Sequence, residues 1–184
     1  TPTPPSRSKS EPLATFNRRG TQALVESIAD SIIRTARSAV FSVDRQSFQS
    51  LSALALFTFA FLGSEFFFDS RIGLLISAEG VVGAQAMILG ASVVGFLAYA
   101  PISKLAGGRR ALRAVEAVGA IAALVTIAVA ESALAMQIAG CIAFFLLGSL
   151  GAEAHWSMAR AFEGSPSLAK GAGAAYAAGI LLQF

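Results

Sequence analysis

Apolar residues change their spacing twice along this chain, and each change marks an element. Residues 1–20, TPTPPSRSKSEPLATFNRRG, have no apolar period. Prolines, hydroxyls and bases dominate, and such a segment buries too little apolar surface to offset the entropy of ordering. It reads as a disordered basic tail. A period of four then appears: Leu24, Ile28, Ile32, Ala36 and Val40, widened by Val25, Ala29 and Ile33, with Glu26, Asp30, Arg34 and Arg37 opposite. Residues 21–49 are therefore expected to hold an amphipathic helix, on a membrane surface or capping the bundle that follows. Its acids come early and its bases late, as the helix dipole favours.

From residue 50 the runs are apolar on every side. A spanning helix needs about 20 such residues. The expected transmembrane bundle covers 50–184, with spans at 50–69, 80–102, 114–131, 133–156 and 168–184. The last apolar run, Gly171 to Phe184, has fourteen residues. That is about 21 Å of helix against a hydrocarbon core of about 30 Å. The pattern thus predicts an all-α, multi-pass transmembrane helix bundle of four complete spans and a truncated fifth. Thr1 at one end and Phe184 at the other lead us to expect that both ends are cut.

Composition agrees with the pattern. Only 14% of the 184 residues are charged, where a soluble domain carries about a quarter. Residues 1–50 hold seven Lys/Arg against four Asp/Glu, and the rest hold seven of each. The loops decide orientation. Lys104, Arg109, Arg110 and Arg113 surround the second loop with no acid among them; Arg34, Arg37 and Arg45 precede the first span, and Arg160 and Lys170 follow the fourth. The alternate connections are base-poor: Arg71 stands between Asp69 and Glu79, and the turn at Glu131-Ser132 has no base. The positive-inside rule then places the N-terminus in the cytoplasm, with a bacterial inner membrane favoured over an organelle membrane.

Candidate chemistry is sparse. One cysteine, Cys141, and one histidine, His155, exclude an internal disulfide and a Cys-rich or multi-His metal centre. The stretch AGGRRA lacks the glycine spacing and Lys-Ser/Thr pair of a phosphate loop. No recognition fold points to direct nucleic-acid binding, and no catalytic residue, cofactor or metal is expected. What remains is a set of polar groups inside spans, where they are costly and normally face a bundle interior or wet cavity. Glu65, Gln85, Gln137 and Glu153 are the candidates for a solute or proton path. Glu65 is either a cavity carboxylate or, if the first span ends near Gly63, an interfacial charge. Glu116 is expected to pair with Arg113 three residues before it, and Glu131 to be a solvated end charge. Glu153, Trp156 and Arg160 share one helix face. Trp156 and Arg160 there read as interfacial anchors, with Glu153 at the boundary or lining a cavity. His155 is expected to point elsewhere, toward Ser157 and Met158 or lipid headgroups. Ala91/Gly95, Gly119/Ala123 and GAGAAYAAG at 171–179 either let helices approach closely or reflect ordinary membrane-helix composition.

The paired spans, the basic loop in PISKLAGGRRAL, the short Glu131-Ser132 turn and the small-rich fifth segment together resemble the N-terminal half of a major facilitator superfamily protein. That superfamily's loop motif has Gly, Asp, a base, Gly and two further bases. Here stand Lys104, Gly107, Gly108, Arg109 and Arg110, with Ser103 before Lys104 in place of the Asp and one extra residue in the spacing. The resemblance implies a cytoplasmic gate at Lys104, Gly108, Arg109 and Arg110. It also implies movement of a small solute by alternating access, with a missing C-terminal half or partner subunits supplying further transmembrane helices. The strings GAEAHWSMARAF and GAAYAAGILLQF are also similar to permease-like domains that precede a LuxR-type helix-turn-helix in some bacterial regulators. That implies a membrane-embedded ligand sensor. A non-transporting accessory subunit is the third alternative.

Overall fold

The computed structural model describes residues 45–105 and 109–184. They form five helices: α1 Arg45–Ile72, α2 Ala78–Leu105, α3 Arg109–Val129, α4 Ala133–Ala161 and α5 Leu168–Leu181. No strand occurs among the described residues, so the all-α class holds. The helices α1 to α4 are each long and apolar enough to cross a membrane. This is a membrane-embedded protein. The basic tail, most of the expected amphipathic helix, and Gly108 lie outside the described residues.

Two expected boundaries move. Arg45 to Gln49 already belong to α1, so the division placed after residue 49 does not exist. No Gly or Pro stands between 45 and 50 to interrupt the helix. Helix α1 also runs on past Gly63 and Glu65 to Ile72, so Glu65 lies inside the helix and not beyond its end. One glycine inside a helix costs only about 1 kcal/mol relative to Ala, and Phe68 beyond it is fully buried in the core. Helix α4 likewise continues past residue 156 to Ala161. Helix α5, at 14 residues, is the expected short fifth.

Helix α4 is the centre of the bundle. It packs against α1, α2 and α3, while α5 lies mainly on α1, and α1 and α2 touch each other little. Some 44% of its apolar stretch is buried, against 17% for α3, which identifies α4 as the inner helix and α3 as the most exposed of the four. One core cluster gathers Phe68, Ile88, Ile127, Met136 and Phe144 around α4. Toward the other end, Leu54, Ala154, Met158 and Ala175 join α1, α4 and α5. Leu97, Val118, Ile121 and Leu134 stand exposed on the outside, as side chains facing lipid do.

Small residues set the closest approaches. A Cβ on Gly95 would collide with the Phe145 carbonyl oxygen, and one on Gly148 with the Ser92 carbonyl oxygen. The two contacts are one turn apart and run antiparallel, so the backbones of α2 and α4 touch. On α5, a Cβ at Gly179 would come within 2.6 Å of the Ala55 carbonyl oxygen, whereas Gly173 faces open space. In lipid, where apolar area alone drives no association, such van der Waals approach holds helices together. Gly95 and Gly179 are thus packing positions rather than ordinary composition.

Candidate functional site

Three of the four candidate polar residues gather where α1, α2 and α4 meet. The Gln85 amide Nε2 donates to Glu65 Oε1 at 2.8 Å, joining α2 to α1. Gln137 Nε2 on α4 donates to the carbonyl of Ala84, next to Gln85 on α2, at 3.2 Å. Glu65 is half-buried, and an amide donor satisfies it where water is scarce. Further along α1, Asp69 Oδ1 is buried without a partner, and Arg71 Nη2 donates to the Ala128 carbonyl at 2.9 Å.

Glu153 lies at the other end of the bundle, in different company from that expected. Arg113 Nε donates to Glu153 Oε1 at 2.7 Å, linking α3 to α4. The expected Arg113–Glu116 pair does not form. Glu116 turns inward, 3% exposed, and Glu116 Oε1 accepts from Ser149 Oγ at 2.5 Å. The reason is geometric. Helices α3 and α4 run antiparallel from a short turn, which sets the start of α3 beside the end of α4. A group buried between them finds the facing helix nearer than its own outer surface. Tyr99 of α2 completes this polar core; its hydroxyl, Glu116 Oε2 and Glu153 Oε2 are buried without hydrogen-bond partners. Sequence reasoning missed Ser149 and Tyr99. Each carries one polar atom in an apolar run, and nothing local distinguishes it from a packing residue. Trp156 and Arg160 are exposed and pair with each other, the guanidinium carbon 5.2 Å from the ring centroid.

His155 does not point to Ser157, Met158 or headgroups. It is two residues beyond Glu153, roughly 200° round the helix, and faces the side where α1, α2 and α5 converge. Its Nδ1 lies 2.6 Å from the Gly151 carbonyl oxygen, and its Nε2 meets the Tyr176 hydroxyl of α5. Phe57 of α1 and Phe96 of α2 stand edge-on to the ring, at centroid distances of 6.1 and 5.7 Å. Four helices therefore contribute to one small polar pair flanked by two aromatic rings and exposed on its Tyr176 side. The sequence shows each aromatic only as another apolar span residue.

Helices α1 and α2 both pack on α4 and touch each other little. The Glu65–Gln85 bond joins them in one place, and Phe57 and Phe96 both meet the His155 ring in another. Along α1, Phe57 and Glu65 are eight residues apart, about 12 Å of helix. Lys104, Arg109 and Arg110, the described members of the expected gate loop, are exposed at the α2–α3 connection. Among the described residues, no three His, Cys, Asp or Glu side chains cluster as a metal site. No family model, curated protein or solved structure matches the chain. Its class is defined by its own architecture: a membrane-embedded bundle of four spanning-length helices and a shorter fifth, with polar pairs held between helices.

Proposed function

We propose that this chain is the solute-binding, membrane-embedded part of a transporter-like protein that moves a small solute by alternating access, with its N-terminus in the cytoplasm. The observation that carries this reading is the His155–Tyr176 pair flanked by Phe57 and Phe96. Small-molecule sites combine apolar, aromatic walls with a few convergent polar groups, and ionisable groups inside a membrane mark solute and ion paths. Glu65, held by Gln85 farther along α1 from Phe57, is the coupling carboxylate. The Arg113–Glu153 pair, beside the basic α2–α3 connection, holds α3 on α4 and serves with Lys104, Arg109 and Arg110 as the gate.

The test uses the full-length protein in proteoliposomes that trap a pH-sensitive dye, with a panel of small solutes added outside. Solute-dependent flux is expected, reduced by His155→Phe and stripped of its pH dependence by Glu65→Gln. An unchanged pH dependence in Glu65→Gln removes that residue as coupling site. Saturable binding without flux transfers the same residues to the alternative reading, a ligand sensor for a helix-turn-helix regulator.

A further inference from the structure

On the other side of α4 from His155, the first turns of α1 and α3 and the last turns of α4 border an open cavity of about 300 Å³. Arg109, Arg113 and Arg160 line it with Gln49, Ser50 and Trp156. We propose that this cavity binds a phosphate group, carried by an anionic lipid headgroup or by a soluble phosphorylated solute.

Charge is the first argument. Three guanidiniums from two helices converge, and the ion pair formed among them uses one nitrogen, Arg113 Nε on Glu153. Glu153 offsets one of the three charges, and an anion in the cavity relieves the repulsion between the other two. Guanidinium forks match phosphate oxygens, two N–H groups to two oxygens, and are the usual choice for this group. Gln49 supplies a neutral amide donor at the rim.

Depth is the second argument. Glu153 is twenty residues along α4 from Ala133, about 30 Å, one hydrocarbon thickness. Trp156 and Arg160 therefore fall at the level where lipid phosphates lie. Trp156, 48% exposed with Arg160 against its ring, offers an apolar wall beside the charges, which suits a headgroup continuing into a glycerol backbone. The site lies apart from His155 and Tyr176 but shares Arg109 and Arg113 with the proposed gate, so its test reads lipid and phosphate affinity and not flux.

Arg110 provides an internal control. It is exposed one residue from Arg109 but does not line the cavity, so Arg110→Gln removes an equal charge nearby. The full chain in neutral detergent is melted with added phosphatidylglycerol, phosphatidylcholine or inorganic phosphate. Phosphatidylglycerol is expected to raise Tm above phosphatidylcholine. Its apparent affinity should fall about tenfold or more, some 1.4 kcal/mol per tenfold, in Arg109→Gln/Arg160→Gln, and stay unchanged in Arg110→Gln. Stabilisation by phosphatidylglycerol alone assigns the lipid source, and equal stabilisation by inorganic phosphate assigns the soluble one. No stabilisation by either, or an equal loss in Arg110→Gln, overturns the site. Should the double variant fail to fold, the single Arg160→Gln is read in the same way.

Discussion

Arg113 reaches from the first turns of α3 to Glu153 near the end of α4, Nε to Oε1 at 2.7 Å, and the two ends of this pair are unequally buried: the arginine side chain is 51% exposed and the glutamate 6%. That asymmetry decides what each substitution does. Without Arg113 a buried carboxylate loses its counter-charge. Without the Glu153 charge the guanidinium can turn to water or headgroups.

Arg113→Gln is therefore expected to cost roughly 1–3 kcal/mol, less than the loss of a fully buried partner because solvent screens the half-exposed guanidinium. Glu153→Gln should cost clearly less, and the double variant should resemble Glu153→Gln alone. Unfolding of all four proteins in one detergent checks the order. Equal costs for the two single variants would refute the proposed direction.

The α2–α4 contact predicts a second asymmetry. Gly148→Val forces a side chain against the Ser92 carbonyl, which backbone cannot yield, while Gly173→Val enters open space. Overpacking typically costs about 1–3 kcal/mol, and Gly148→Val should reach or pass the top of that range. Gly173→Val should leave Tm within a degree or so of the parent, as substitutions away from such contacts do. Thermal melts of the two variants side by side decide it.

His155 is the only histidine, so its ring can be read directly by nitrogen NMR. The Gly151 carbonyl can only accept, which puts the proton of the neutral ring on Nδ1 and leaves Nε2 to accept from the Tyr176 hydroxyl. The expected spectrum has a pyrrole-like Nδ1 and a hydrogen-bonded, pyridine-like Nε2. Tyr176→Phe should move the Nε2 signal and leave Nδ1 nearly still. A neutral ring protonated at Nε2 would sink this assignment.

Orientation is tested by labelling. In a Cys141→Ala background, Arg110→Cys and Ser132→Cys stand at opposite ends of α3. A membrane-impermeant thiol reagent should reach position 110 from the cytoplasmic side and position 132 from the other. Cys141 itself is only partly buried, with Sγ 3.7 Å from Gln137 Nε2, so the background substitution should be mild. Labelling of both positions from one side would remove the four-span topology.

Span number, order and the short fifth helix were legible in the sequence because each depends on one local property, a long enough run of apolar residues. The ends were less so. Whether α1 stops near Gly63 or continues to Ile72 turns on what Phe68 packs against, and that is a tertiary fact. Glu65, Gln85, Gln137 and Glu153 stood out as polar groups in apolar surroundings, but their partners did not. The local rule paired Arg113 with Glu116, and the folded bundle paired Arg113 with Glu153 and Glu116 with Ser149 instead. His155 looked like a surface residue at a helix exit and became the meeting point of four helices. The sequence by itself determined which segments leave water, since that is a property of each segment alone. Only the tertiary structure decided which polar groups meet, because inside a bundle, where water is scarce, a buried polar atom takes its partner from whichever neighbouring helix the packing brings within reach.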